Sequence, residues 1–125
     1  MKPSILFCSA GLRGRLLRNA QESIGAECDI NATDNNATAP ALYFATREYP
    51  VPRIDAPDYV EVVLQICKEC NAKAITTLID PEIEVLAKNR ELFLANGVLP
   101  LCPADEMTAR CCFDKYEMYK YCKSQ

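Results

Sequence analysis

Apolar and polar positions alternate in blocks along the chain, and each block fits one of two periods. Ser4 to Ser9 is continuously apolar and ends at a small-residue turn, which predicts a strand buried on both faces. From Leu12 to Ile24 the apolar residues Leu12, Leu16, Leu17, Ala20 and Ile24 recur at helical spacing. Arg13, Arg15, Arg18 and Gln21 fall outside that stripe, and Gly25 is the expected stop. CDINAT, from Cys28 to Thr33, predicts a second strand running into the loop DNNATAP, and APALYFA predicts a short helix from Pro40. REYPVPRI is extended, and Pro50 and Pro52 confine it to a sheet edge or a strand-to-loop segment.

The second half repeats the alternation. A helix starts at Asp55 to Pro57, with Pro57 in its first turn and Tyr59, Val62, Val63, Ile66 and Cys70 as its apolar stripe. KAITTLI, Lys73 to Ile79, is a β-branched strand. Asp80, as N-cap, and Pro81 open a helix through Leu94 that Asn96-Gly97 closes. Val98 to Leu101 is a short last strand, and Pro103 starts a helical tail, with a break near Asp114, that runs to Cys122. Strands alternating with helices predict an α/β fold: a Rossmann-like, doubly wound parallel sheet of about five strands with a C-terminal helical tail.

Composition narrows the chemistry. At 125 residues, half hydrophobic and a quarter charged, the chain is one ordinary globular domain. A net charge of −3 without a basic cluster argues against nucleic acid as partner. No apolar run approaches the ~20 residues that span a bilayer, and no signal peptide is visible, so a cytoplasmic location without a membrane partner is expected. The chain has no histidine, which removes Ser-His-Asp and Cys-His catalysis and every His-containing metal site. Its eight cysteines read as small buried hydrophobes in a reducing compartment, with Cys8 and Cys28 in the core. Cys67 and Cys70 have C-x-x-C spacing but fall at a helix C-terminus, the wrong pole for a redox thiol. No second C-x-x-C completes a zinc tetrad.

In a doubly wound sheet ligands gather beyond the carboxyl ends of the strands. Three segments lie there: Ser9-Ala10-Gly11 with Arg13 and Gly14, Asp34-Asn35-Asn36, and Asp80-Pro81-Glu82. SAGLRG partly matches the dinucleotide fingerprint G-x-G-x-x-G, with Ser9 in place of the first glycine and Asp34 about 20 residues beyond. The plainer reading is that Gly11 makes a tight turn and Gly14 lets the helix pack closely on the sheet. Arg13 and Arg15 stand where the helix dipole disfavours positive charge, which a nearby anion or acid would offset. Asp80 is explained as a cap. Glu82 is explained only partly by the dipole and is the better candidate for a substrate amine or cation. Arg13 and Glu82 are expected to face one cleft.

The segments ILFCSAGLRGRLLRNA, ATDNNATAPALYFA, VPRIDAPDYVEVVLQICKE, TTLIDPEIEVLAKNRELF and CFDKYEMYKYCK, in this order, resemble the N-terminal (pre-ATP-grasp) domain of ATP-grasp ligases. The likeness is greatest to proteins similar to the carbamoyl-phosphate synthase large subunit. The resemblance implies a Rossmann-like domain forming one wall of a ligase active site for a small-molecule substrate. Gly11, Arg13, Gly14, Asp34, Asn35, Asp80 and Glu82 would line the substrate side, and Lys115 lies where the family's chain enters the ATP-grasp part. No residue of this segment is expected to be catalytic or to bind metal. ATP and magnesium would be taken by the ATP-grasp domain, absent here, so the chain is expected to be inactive alone, a domain or fragment of a longer enzyme. Its helical tail, residues 103–125, would be the connector, with an apolar face that favours a homodimer. The competing expectation is a free-standing Rossmann-like module that takes a nucleotide or small anion at the SAGLRG turn.

Overall fold

The computed structural model describes residues 2–102 and 105–125. Five strands, β1 (Ser4–Cys8), β2 (Asp29–Asp34), β3 (Glu48–Pro50), β4 (Ala72–Thr77) and β5 (Leu99–Pro100), form one sheet in the order β3-β2-β1-β4-β5. Every pairing is parallel. The chain starts in the middle, winds to one edge, and returns to pair β4 with β1. The switch in direction therefore falls between β1 and β4, where a parallel sheet opens a crevice.

Both faces are covered, as a parallel sheet requires. On one face α1 (Gly14–Ile24) and a 3₁₀ helix (Pro40–Phe44) bury Leu17, Ile30, Ala32, Ala41 and Leu42. On the other, α2 (Tyr59–Glu69), α3 (Asp80–Lys88) and α4 (Arg90–Ala95) cover Leu6, Cys8 and Ile75 with Tyr59, Val63, Ile66, Leu86 and Phe93. Leu6 and Cys8 serve one face while Phe7 packs on the other, the two-residue period of a strand buried on both sides. α5 (Glu106–Phe113) packs on α3, and α6 (Lys115–Ser124) on α5. Asp105 caps α5 by accepting the Thr108 N–H, and Asp114 caps α6 through the Tyr116 and Glu117 N–H groups. The predicted start of this tail at Pro103 lies outside the described residues. Among the described residues no helix is long and apolar enough to cross a membrane.

Several local expectations are corrected. The single helix from Asp80 to Leu94 is two, α3 and α4, which part at Asn89, where the backbone leaves helical geometry (φ −103°, ψ 16°) and the side-chain amide joins the backbone N–H on the Val85 carbonyl. α2 begins at Tyr59, leaving Pro57 in the preceding turn. The α1 stripe is narrower than its periodicity suggests. Leu17 is buried, but Leu16 is 44% and Leu12 85% exposed, since Leu12 precedes the helix in the turn. Gly25 does end α1 as expected, as its C-cap, though in a right-handed rather than a left-handed conformation. Cys28 is half-buried, unlike Cys8.

Candidate functional site

The site grows from a turn that the backbone can make only in an unusual conformation. At the end of β1, Ser9 has φ +54° and Gly11 φ +52°, both left-handed. Glycine adopts this freely, whereas serine is strained there and must be held. What holds it is Glu82: the Ser9 hydroxyl donates to Glu82 Oε1 at 2.6 Å. The Thr77 hydroxyl, at the end of β4, donates to the same oxygen at 2.8 Å, and the Tyr59 hydroxyl donates to Oε2. Glu82 is fully buried. Burial, then the neighbouring Cys8 and Glu82, hold the Tyr59 hydroxyl protonated far above the usual tyrosine range. Burial also raises the Cys8 thiol, and the Glu82 charge adds to it. Tyr59 is thus a permanent donor to an acceptor with three partners.

Above this floor lies the cleft. It has a volume of about 310 Å³ and is walled by Ser9 and Gly11 from β1, Asp34 and Asn35 from β2, Val51 to Ile54 beyond β3, the Tyr59 ring, and Ile79 beyond β4. A second hollow of about 420 Å³ shares Ser9, Gly11 and Ile79 and extends to Leu12, Arg13 and Leu78. Asp34 ties the turn to the second strand. Its Oδ2 accepts the Gly11 N–H at 2.8 Å and its Oδ1 the Asn36 N–H at 2.9 Å. The anion held by the glycine turn is therefore the protein's own carboxylate.

The candidate residues divide accordingly. Gly11, Asp34 and Asn35 meet at the cleft. Arg13 is exposed beside the second hollow, as the residue preceding α1, with no capping bond from its side chain. Gly14 is buried away from the cleft. A Cβ there would come within 2.8 Å of the Phe44 ring, so its close approach is to the 3₁₀ helix and not to the sheet. Asp80 is exposed and sits inside α3, with Ile79 as the residue preceding the helix, so the cap expected of Asp80 is absent. Glu82 does not face the cleft with Arg13, because three hydroxyls close over it. The segment from Val51 to Ile54, and Tyr59, escaped the sequence reading. The rule that found the other strand ends, applied to the edge strand β3, points to Val51 and its successors. Tyr59 carried no signal beyond its place in an apolar stripe.

The C-x-x-C pair takes no part. Cys67 and Cys70 are buried in the core, and the Cys67 thiol is pushed up to about 12 by burial and then by Cys70. Among the described residues no group of three or more Cys, Asp or Glu is arranged to hold a metal ion.

Comparison with known proteins agrees with this architecture. No curated protein matches the sequence. Among solved structures, the chain superposes on an L-amino acid ligase from Bacillus licheniformis with a TM-score of 0.71 and 18% identity, covering 99% of this chain and 30% of that one. A biotin carboxylase domain of a single-chain bacterial carboxylase gives 0.70 and 16%, over 98% and 29%. The N5-carboxyaminoimidazole synthetase from Staphylococcus aureus gives 0.63 and 19%, over 99% and 31%. The chain thus spans about a third of the length of these proteins and shares their N-terminal, pre-ATP-grasp fold. The family model "PylC-like, N-terminal domain" matches residues 5–101, and the chain belongs to that family.

Proposed function

We propose that this chain is the substrate-side N-terminal domain of a longer ATP-dependent carboxylate–amine ligase of the ATP-grasp type. The observation that carries the reading is the cleft at the switch point, where the ends of β1, β2 and β4 meet over a floor fixed by buried Glu82. The solved ligases and carboxylases that share the fold support it. A phosphate finds no free N–H at Gly11, because that group is committed to Asp34. The same bond argues against a free-standing nucleotide module. In this proposal the nucleotide and its metal belong to the ATP-grasp part, and α6, whose Tyr116, Tyr119 and Tyr121 are all exposed, faces that part or a second copy. The narrower likeness to the carbamoyl-phosphate synthase large subunit rests on the sequence segments alone, and the cytoplasmic location on composition.

The test is to purify the full-length gene product, supply ATP, magnesium and pairs of carboxylic acid and amine, and follow ADP release and product mass. ADP release that depends on both substrates supports the proposal. Tight Mg·ATP binding by the 125-residue chain alone, measured by calorimetry, contradicts the assignment of nucleotide to another part.

A further inference from the structure

The cover on the two faces of the sheet is unequal. α1 packs on β2 and on the 3₁₀ helix, while the helices that pack most on β4 and β5, namely α2, α3 and α4, lie on the opposite face. Register and strand alternation place Leu99, paired with Ala74, and Leu101 on the α1 face, because Ile75, Val98 and the fully buried Pro100 serve the other. Leu99 is 44% and Leu101 49% exposed. Between α1 and the end of β4 lies a hollow of about 470 Å³, lined by Leu12, Arg13, Arg15, Leu16, Asn19 and Leu78. Parallel strands are normally buried on both sides, and here leucines stand where a helix beside α1 would cover them. The chain's own tail does not fill that place, since α5 packs on α3, across the sheet, and α6 on α5.

Charge decides what fits there. α1 is basic around its start, with Arg13, Arg15 and Arg18, and acidic at its end and just beyond, with Glu22 and Glu27, all exposed. Arg18 pairs with Glu22 at 3.2 Å, whereas no ion pair among the described residues engages Arg13, Arg15 or Glu27. A helix polarised in this way complements its own reversed copy. Antiparallel alignment sets Arg13 and Arg15 against the acidic end of the other helix, and parallel alignment sets like charge on like. We infer that this face binds a second copy of the chain about a two-fold axis, with the two α1 helices antiparallel and each lying over the other copy's exposed β4 and β5. Leu12, Leu16, Leu99 and Leu101 of both copies then leave water, which drives association, and the charges set its direction. The inference does not depend on the ligase reading and does not use α6.

The experiment is sedimentation velocity on the 125-residue chain, with thermal melts as the check on folding. A monomer–dimer equilibrium is expected within about 5–500 μM. Leu16→Glu and Leu101→Glu, on different elements and both at exposed positions, should each raise the dimer dissociation constant by about tenfold or more. Tyr119→Glu, on α6, should change it by less than about 2-fold. Arg15→Glu or Glu22→Arg alone should raise it by about 5- to 10-fold, and the two together should restore most of the affinity. A chain that stays monomeric through this range overturns the inference. So does a dimer indifferent to both leucine changes, or a double reversal that binds no better than the single ones. A full-length protein that remains monomeric while the 125-residue chain dimerises also overturns it, because the rest of its own chain then covers this face.

Discussion

Glu82→Gln changes one atom and puts the floor of the cleft to the test. The carboxylate is fully buried and accepts three hydroxyl protons, two on Oε1 and one on Oε2. Hydrogen bonds to a charged acceptor contribute about 1.5–3 kcal/mol each, against about 0.5–1.5 for neutral pairs, so three bonds lose roughly 3 kcal/mol together. The relief of no longer burying a charge offsets part of this. The amide –NH₂ adds donors on one side, where the Tyr59 proton is left without an acceptor. A net loss of about 2 kcal/mol is expected. In urea, with a slope of about 1–3 kcal/mol/M for a domain of this size, the midpoint should fall by roughly 1 M with the slope unchanged. Tyr59→Phe removes the donor from the other side, and the double variant should lose less than the sum of the two by about 1 kcal/mol. A midpoint unmoved by Glu82→Gln, or strictly additive losses, would refute the reasoning.

Three further outcomes follow from the packing. The buried thiols Cys8 and Cys67 keep their protons in the folded state at pH values where unfolded thiols, titrating near 9.0, have lost them. The folded state then binds more protons, so stability is complete below pH 9 and declines between pH 9 and about 12. Thermal melting should show Tm falling across that interval, and a Tm that rises would contradict it. Iodoacetamide at pH 8, followed by peptide mass spectrometry, should label exposed Cys112 and Cys122 at least about tenfold faster than Cys8 or Cys67. Gly14→Ala drives a Cβ into the Phe44 ring and should cost about 1 kcal/mol in chemical denaturation, with Phe44→Leu in the same chain restoring most of it. Equal losses with and without the second change would exclude that contact as the cause.

The sheet and its order of elements were legible because hydrophobic period alone separates buried strands from amphipathic helices, and alternation then leaves few topologies. The break at Asn89 was not, since a one-residue departure from helical backbone, with the side-chain amide sharing the Val85 carbonyl, leaves the periodicity on either side intact. Leu12 and Leu16 misled for the opposite reason: they keep helical spacing while the chain has not yet begun, or has turned away from, the packed face. Glycine position located the turn and Asp34 correctly, but the partner of that turn was invisible. Nothing local shows that Asp34 fills the anion position at Gly11, or that Ser9, 73 residues earlier, and Tyr59, 23 residues earlier, close over Glu82. Those are long-range contacts between strand ends and the first turns of helices, and a one-dimensional reading assigns Glu82 to the dipole of its own helix instead.

Whether the cleft at the strand ends is the substrate wall is decided most directly by blocking it in the full-length protein. Ile79 is 38% exposed and borders both hollows, so Ile79→Trp fills the space without opening the core. Steady-state kinetics should then show KM for at least one of the two joined substrates raised by about tenfold or more, with KM for ATP changed less than about 2-fold. Unchanged KM values for both joined substrates together with a raised KM for ATP would contradict the account.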